Sequence, residues 1–254
     1  AAAVGKLRAM TNAGLMDCKK ALTETGGDLD AAVDVLRKKG VASAAKKAGR
    51  SANEGVIANY ISPDSKSGVL VEINCETDFV AKNDSFQEFC NGIAKTLVET
   101  PDADLEVLRT AQVAKIGENI QFGRHTRMDV SGTGLIAAYI HTGSKVGVLV
   151  EVGANSAEST SKEAFTSLIK DITLQIAAAN PVAVRREEVD PSLIQKEKEI
   201  AEDQAKGKPA QAIEKIISGK LEKYYQNTCL EDQGFIRQNG EITVKEHVAA
   251  VGKE

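Results

Sequence analysis

The feature of this sequence that most constrains its fold is an internal repeat. Residues 55–62, Gly-Val-Ile-Ala-Asn-Tyr-Ile-Ser, return at 134–141 as Gly-Leu-Ile-Ala-Ala-Tyr-Ile-His. The offset of 79 residues continues without a gap to the pair Phe86 and Phe165. Chance does not keep one register across so long a segment, so the chain contains a duplication.

Each copy predicts a β-hairpin followed by a helix. In the first copy the apolar runs 55–62 and 68–73 flank a polar turn, and the second copy repeats this pattern. Apolar residues at helical spacing follow in both copies: Phe86, Phe89, Cys90, Ile93 and Leu97, then Phe165, Leu168, Ile169, Ile172 and Ile176. The core is therefore predicted to be two related α+β subdomains, each an antiparallel sheet covered by a helix on one face.

The first fifty residues predict a module of three short helices. Val4, Leu7 and Met10 share one face of the first helix, which ends at a turn over residues 11–14, and a second helix begins at Leu15. Three short helices bury only a modest core. A module of this size is typical of a docking domain and not of an active site.

Glycines and an acidic cap set the predicted bounds of the third helix. Gly26 and Gly27 interrupt the second helix, Asp28 caps the third, and Gly40 closes it. Residues 41–50, rich in Ala, Lys and Ser, are interpreted as a tether that is either helical or flexible.

The segment after residue 180 predicts an antiparallel helical hairpin. Asp190 and Pro191 are a strong helix start, and residues 207–209 form a turn between two helical arms. An apolar stripe on the second arm either packs against the first arm or serves a partner: Ile213, Ile216, Ile217, Leu221 and Tyr224. The tail predicts a short strand at 241–244 and a final helix.

Composition and charge narrow the function classes. The net charge is −4, but residues 1–50 carry ten Lys or Arg against five acids, so a basic N-terminal part precedes an acidic remainder. The basic part either steers the chain toward an acidic protein or RNA, or only keeps the module soluble. No stretch resembles a membrane span or a secretory signal, and the four scattered cysteines indicate reduced, mostly buried thiols.

Motifs for catalysis, nucleotide binding or metal binding are not found. Residues 40–47 approach a phosphate-binding loop but lack its second glycine and its hydroxyl residue. His125, His141 and His247 are far apart and stand at no zinc-ligand spacing. We therefore expect no catalytic residues, no metal and no cofactor.

The duplication points to a candidate site where the copies differ. Asp78 and Phe79 follow the second strand of the first copy, whereas the second copy has Ala157 and Glu158 at these positions. A Phe at a strand end in a polar segment either caps the core of its subdomain or is available to a partner.

Three long segments resemble signatures of the elongation factor Ts family. They are Leu-Arg-Ala-Met-Thr-Asn-Ala-Gly-Leu-Met-Asp-Cys-Lys-Lys-Ala-Leu at 7–22, Asn-Cys-Glu-Thr-Asp-Phe-Val-Ala-Lys-Asn at 74–83 and Lys-Ile-Gly-Glu-Asn-Ile at 115–120. The likeness covers nearly the whole chain, in order. It implies a ubiquitin-associated-like (UBA-like) three-helix module at 1–53, core repeats at 54–133 and 134–254, and a helical hairpin inserted at 190–227.

The resemblance also implies a function. Members of this family are guanine-nucleotide exchange factors that bind elongation factor Tu and promote GDP release, without enzymatic chemistry or direct nucleotide binding. The contact positions implied for elongation factor Tu are Arg8, Leu15, Met16, Lys19, Asp78, Phe79, Ile116, Gly117, His141 and Ile236. Many members carry Met at the position of Leu15, which is a volume-conserving exchange. The pair matching Asp78 and Phe79 is expected near the magnesium and phosphate site of Tu.

Two rival interpretations remain beside this one. A ribosome- or RNA-associated adaptor without exchange activity would use the basic module, and an enzyme would use a pocket between the repeats. The resemblance implies a cytoplasmic bacterial protein or an organelle matrix protein, with the 190–227 hairpin as a candidate surface for self-association. Family members usually continue past the position of Glu254 into a further strand.

Overall fold

The computed structural model describes residues 2–11 and 13–253. Its helices are α1 Ala2–Thr11, α2 Leu15–Glu24, α3 Leu29–Lys47, α4 Asp78–Ala81, α5 Asp84–Glu99, α6 Glu106–Ile116, α7 Ala157–Thr160, α8 Glu163–Ala179, α9 Pro191–Ala205, α10 Ala210–Thr228 and α11 Val244–Val251. The strands are β1 Glu54–Ile61, β2 Ser67–Cys75, β3 Gln121–Asp129, β4 Gly134–Ile140 and β5 Gly147–Gly153. Short 3₁₀ turns lie at Arg186–Glu188, Leu230–Asp232 and Ile236–Gln238. The predicted α+β class, with N-terminal helices and antiparallel sheets, is confirmed.

The chain divides into two compact units. The first comprises the residues up to 129 together with 140–147, the turn that joins β4 and β5. The second comprises 130–139 and the residues from 148 onward. The predicted domain bounds at 53/54 and 133/134 follow the repeat and not these units, and they remain a prediction.

The first three helices enclose a small core of their own. Its buried members are Leu7, Cys18, Ala21, Leu22 and Ala32. Met10 was predicted on this apolar face, but 56% of it is exposed, so that assignment is wrong. The helix ends one residue later, where the Thr11 hydroxyl bonds to the carbonyl of Leu7 at 2.7 Å, and Met10 therefore lies beyond the core. Asn12, in the predicted turn, lies outside the described residues.

Helix α3 does not end at Gly40, as its sequence predicted. It continues to Lys47, so most of the predicted tether is helical. Gly40 is buried against Thr110 and Ala114 of α6, with Ala44 buried one turn later. A glycine inside a helix costs about 1 kcal/mol relative to Ala, and packing against α6 outweighs that local cost.

The first repeat forms a three-stranded antiparallel sheet in the order β1-β2-β3. Central pairs such as Ala58 and Val71 face α5, whose Phe86, Cys90 and Ile93 are fully buried. Strand β3 was not predicted. Most of its residues are exposed at the edge of the sheet, so it lacks the alternation of apolar and polar residues that marks a half-buried strand.

The second repeat keeps the offset of 79 residues in its structure. Helices α7 and α8 begin 79 residues after α4 and α5. Both hairpin turns place a serine in the left-handed region, Ser65 at φ 57° and Ser144 at φ 56°. At Gly55 and Gly134 a Cβ would lie 2.2 and 2.6 Å from carbonyl oxygens of the facing strand, so both copies require glycine there.

The predicted helical hairpin is confirmed as α9 and α10, which pack against each other. Buried Ala201 and Ala205 let the arms approach closely, and the apolar stripe of α10 is half-buried. At the base of the hairpin the Arg186 guanidinium donates to Asp232 and to Glu222, both at 2.8 Å. It also lies 4.9 Å from the centre of the Tyr225 ring.

The tail departs from the predicted strand at 241–244. Only an isolated bridge joins Gly234 and Thr243, and Val244 already begins α11. The reason is a capping box, in which the Thr243 hydroxyl accepts from the Glu246 N–H and the Glu246 carboxylate accepts from the Thr243 N–H. The predicted final helix is confirmed. Among the described helices, none combines the length and apolar character that crossing a membrane would require.

Candidate functional site

Phe79 projects from a one-turn helix that directly follows the central strand of the first sheet. The Thr77 hydroxyl caps α4 by accepting from the Val80 N–H at 3.3 Å. Val80 and Ala81 pack into the core of the first sheet, whereas Phe79 is 82% exposed. The exposure excludes the alternative in which Phe79 plugs the core of its own subdomain.

Asp78 stands beside Phe79 as a charged group. Lys82, one turn later, donates to its carboxylate at 2.7 Å. This hydrogen bond holds the pKa of Asp78 below its ordinary value. The turn thus presents an anionic group next to an exposed aromatic ring.

The loop before α4 is held by the segment that follows α6. The Glu118 carboxylate accepts from the N–H groups of Glu76 and Thr77 at 3.0 and 3.1 Å, and from the Thr77 hydroxyl at 2.7 Å. In return, the Glu76 carboxylate accepts from the Asn119 N–H at 2.6 Å. Two of the signature segments, 74–83 and 115–120, therefore form one hydrogen-bonded frame.

Ile116 and Gly117 end α6 next to this frame. Ile116 is half-buried and packs against the core of the first sheet, so its side chain is only partly available. Gly117 has φ +86° and its N–H caps the helix on the carbonyl of Val113 at 2.9 Å. Glycine adopts this left-handed conformation without strain, and the turn it makes leads directly into Glu118.

Asn119 connects the frame to the end of the N-terminal module. Its side-chain amide donates to the carbonyl of Arg50 at 2.8 Å and to that of Ala48 at 3.4 Å. The Arg50 guanidinium also lies 3.6 Å from the Glu76 carboxylate. The chain leaving α3 is thereby tied to the same residues that hold α4.

His141 is exposed in the turn between β4 and β5, within the first unit. This turn is fixed to β1 by a hydrogen bond of 2.7 Å from the Ile57 N–H to the Ser144 carbonyl. An ion pair of 2.8 Å between Lys145 and Glu54 adds to it. A Cβ at Gly147 would lie 2.7 Å from the Ile57 side chain, so a larger residue there would displace Ile57. His141 therefore stands on a fixed turn.

The N-terminal module carries exposed apolar and exposed basic side chains on its first two helices. Leu15 and Met16 are 55% and 61% exposed at the start of α2, and Met10 is exposed at the end of α1. Arg8 and Lys19 are exposed on the same two helices. We call this set of five residues the apolar–basic patch.

Ile236 lies in the second unit, on the 3₁₀ turn Ile236–Gln238, and is 40% exposed. Its N–H donates to the buried Gln175 side chain at 2.9 Å, and its neighbour Phe235 is buried against the His247 ring at 4.0 Å. The turn is thus anchored while the Ile236 side chain remains accessible.

The predicted site residues accordingly fall into separate groups. The frame brings Asp78 and Phe79 together with Ile116 and Gly117, while the apolar–basic patch occupies another part of the first unit. Sequence reasoning missed Glu118 as a structural partner of Thr77, although it lies inside a signature segment. Within the described residues, no three His, Cys, Asp or Glu side chains are grouped as metal ligands.

Known proteins similar to this chain identify its family. A model of the family described as elongation factor TS matches residues 76–254. The chain is 43% identical over 272 residues to elongation factor Ts of Trichlorobacter lovleyi, covering 100% of this chain and 87% of that relative. It is 44% identical over 259 residues to elongation factor Ts of Halothermothrix orenii, covering 95% and 84%. The chain belongs to the elongation factor Ts family.

The regions matched in these relatives contain the predicted site residues. The match to the elongation factor Ts family model begins at Glu76, so it includes the frame from Glu76 onward, with Phe79, and also Ile236. The N-terminal module lies before that match, and the relative from Trichlorobacter lovleyi covers it. Every part of the chain that carries a predicted site residue is therefore matched by this member of the elongation factor Ts family.

Proposed function

We propose that this chain is a guanine-nucleotide exchange factor that binds elongation factor Tu in its GDP form and accelerates GDP release, after which GTP can rebind. It forms no covalent intermediate and binds no nucleotide itself. Asp78 and Phe79 act near the site where Tu holds Mg²⁺ and the phosphates. The chain works in the cytoplasm of a bacterium or in an organelle matrix.

The observation that carries this proposal is the exposure of Phe79 on a fixed turn. A large aromatic side chain that leaves water on binding is typical of the few residues that dominate interface energies. Because α4 is capped and its residues Val80 and Ala81 are packed, little backbone conformational entropy remains to be lost when Phe79 meets a partner. Asp78 adds a negative charge, which opposes phosphate and attracts cations at the same place.

The mechanism requires a coupling of two binding equilibria. A protein that binds more tightly to Tu when the nucleotide pocket of Tu is distorted weakens the binding of GDP to Tu. GDP in turn weakens the binding of that protein to Tu by the same factor. Insertion of the Phe79 ring displaces side chains of the pocket, and the burial of the ring contributes binding free energy. No proton transfer or bond cleavage is needed.

The remaining predicted contacts supply affinity away from the nucleotide. The apolar–basic patch combines exposed Leu15 and Met16 with Arg8 and Lys19, which suits an apolar surface with acidic residues at its border. Ile116, Gly117 and His141 of the first unit and Ile236 of the second are proposed as further contacts. The hairpin is proposed as a surface for self-association, since Ile217 and Leu221 on α10 are only half-buried.

Release of labelled GDP from Tu tests the function directly. We expect release to accelerate with increasing concentration of this protein and to saturate. An unchanged release rate would refute the exchange function. Binding to RNA in the absence of Tu, weakening steeply with salt, would instead support the adaptor interpretation based on the basic module.

A further inference from the structure

Glu118 has no role in the contacts proposed above, yet its carboxylate accepts three hydrogen bonds from Glu76 and Thr77, the two residues that precede α4. We infer that Glu118 is a positioning residue for nucleotide exchange: it fixes Thr77 and, through Thr77, the direction in which Phe79 projects. The inference rests on the proposed function.

The first step is the geometry of the carboxylate. One oxygen accepts from the backbone N–H groups of Glu76 and Thr77, and the other accepts from the Thr77 hydroxyl at 2.7 Å. Hydrogen bonds to a charged acceptor are roughly twice as strong as neutral ones. Since Glu118 is only half-exposed, water competes less for these donors.

The second step is the role of Thr77. Its hydroxyl donates to Glu118 and accepts from the Val80 N–H, so both functions of this hydroxyl are engaged. Thr77 is extended, at φ −123° and ψ 153°, and the next residue begins α4. The direction of α4 therefore depends on how Thr77 is held. Phe79 is the second residue of that helix.

The third step compares the two repeats. Ser156, at the position of Thr77, also caps a one-turn helix, but its hydroxyl lies 3.0 Å from the Ser159 hydroxyl and not against a carboxylate. That helix carries Glu158 where α4 carries Phe79. The fold thus forms this turn with a hydroxyl cap alone. The first repeat, which presents Phe79, adds the hydrogen bonds from Glu76 and Thr77 to the Glu118 carboxylate, which we call the Glu118 clamp.

The test uses Glu118→Gln in the full chain. The amide of Gln has a similar shape but places a donor where one carboxylate oxygen accepts, so it cannot satisfy all three donors. We expect the maximal rate of GDP release at saturating concentration of this protein to fall roughly tenfold or more, because a small displacement of a positioned group has large effects. In a Phe79→Ala background, Glu118→Gln should cause no further loss.

Glu106→Gln is the matched control. Glu106 is on α6, and its carboxylate accepts two hydrogen bonds from Arg109, at 2.8 and 2.6 Å, but it does not contact Thr77. The charge change is the same, and release should stay at the wild-type rate. Hydrogen exchange of the Val80 and Ala81 amides in the free protein provides a readout without Tu. It should quicken in Glu118→Gln and not in Glu106→Gln.

The outcomes separate this inference from the proposed function. If the wild-type protein accelerates release and Phe79→Ala does not, but Glu118→Gln matches the wild type, the role of Glu118 is refuted while the exchange function stands. If Glu118→Gln slows release equally in the Phe79→Ala background, its role is purely structural and the inference fails. If the wild-type protein fails to accelerate release, the proposed function itself falls.

A second variant covers the case in which Glu118→Gln does not fold. Thr77→Val keeps the β-branched shape but removes the hydroxyl that links Glu118 to α4. Ser156→Ala removes the equivalent cap in the second repeat. We expect about tenfold slower release for Thr77→Val and a wild-type rate for Ser156→Ala. Equal effects of the two substitutions would refute the inference.

Discussion

Thr77 and Ser156 occupy the same position in the two repeats, and each caps a one-turn helix through its hydroxyl. The distance from the hydroxyl oxygen to the backbone nitrogen that it caps is nearly equal in the two repeats. It is 3.3 Å from Thr77 to Val80 and 3.2 Å from Ser156 to Ser159. Two residues after each cap stand Phe79 and Glu158. The duplication thus supplies one local backbone with two different side chains, which makes the second repeat an internal reference for the first.

Phe79→Ala should separate function from stability. Because the ring is 82% exposed, its removal leaves no cavity, and the free energy of unfolding should change by less than about 1 kcal/mol. If Phe79 enters the nucleotide site of Tu, exchange should fall by roughly tenfold or more, as for a residue that dominates an interface. A denaturant melt and a GDP-release assay on one sample give both quantities.

Glu158→Ala is the control for this substitution, since it truncates the equivalent position of the second repeat. It should leave exchange unchanged. Asp78→Ala should slow exchange less than Phe79→Ala does, because a short carboxylate buries little area. A loss of stability in Phe79→Ala that accounts for its whole loss of activity would contradict the assignment of Phe79 to the partner.

The double variant Leu15→Ala, Met16→Ala should weaken binding to Tu without unfolding the module. Both side chains are more than half exposed, whereas the core of the module is formed by other residues such as Leu7 and Cys18. We expect a loss of roughly 2 kcal/mol or more in binding free energy. Titration calorimetry and a thermal melt measure affinity and folding separately.

Val41→Ala is the matched control, because Val41 is an exposed apolar residue of α3 outside the apolar–basic patch. It should bind Tu as the wild type does. Unchanged affinity of the Leu15 and Met16 variant would mean that the patch does not contact Tu. Adding Met10→Ala should weaken binding further if the Met10 side chain, which is 56% exposed, also contacts Tu.

The repeat made much of the fold predictable from sequence. Periodic apolar residues predicted α5, α8 and the second arm of the hairpin, since each carries a long stripe that is buried or half-buried. The difference between the copies at Phe79 and Glu158 indicates a candidate site from the sequence alone, because folding does not explain it. These signals are local, or repeat in register, and so survive in a single sequence.

Other features depended on tertiary contacts that a single sequence does not display. Gly40 predicts a helix end by propensity, but packing on α6 carries α3 past it. Strand β3 is held at a sheet edge by pairing with β2 and not by its own pattern. The Glu118 clamp joins residues 41 positions apart, so nothing in the local sequence relates Glu118 to Thr77.

The thiol of Cys75 should be unreactive in the folded protein near pH 8. Burial, and then the charge of Glu118, raise its pKa to about 11, and burial also raises the pKa of Cys90. The thiolate is the reactive form. Iodoacetamide should therefore modify these residues far more slowly in the native than in the urea-unfolded chain, as peptide mass mapping would measure. Equal modification rates would contradict the burial of these residues.

The raised pKa of Cys75 also predicts how the free energy of unfolding depends on pH. Above the ordinary thiol pKa near 9 the unfolded chain releases a proton that native Cys75 keeps until about pH 11. The unfolded state then binds fewer protons, so the free energy of unfolding should decrease as pH rises across this interval. Cys75→Ala should show a shallower decrease over the same range, although it is less stable at pH 8 because of the cavity. An identical slope would show that other groups cause the decrease.

Shortening the helical hairpin should leave folding and exchange largely intact. Replacing residues 195–220 with a short Gly/Ser linker removes most of both arms but keeps the base, where Arg186 donates to Asp232 and Glu222 and lies over Tyr225. The arms pack mainly on each other, so the rest of the second unit loses few partners. We expect a native thermal transition, much of the exchange activity, and loss of any self-association in sedimentation velocity.

Arg186→Ala in the full-length chain provides the contrasting change at the base. It deprives two carboxylates of their partner and removes the contact with the Tyr225 ring, so it should lower the melting temperature more than the shortening does. The Arg186 hydrogen bonds also hold the pKa of Glu222 below its ordinary value. The stabilisation by this ion pair is present above the ordinary carboxylate pKa and is lost as pH falls through the lowered pKa. The difference in stability between wild type and Arg186→Ala should therefore shrink in acid.

For the protein shortened at residues 195–220, unfolding would show that the arms belong to the core of the second unit.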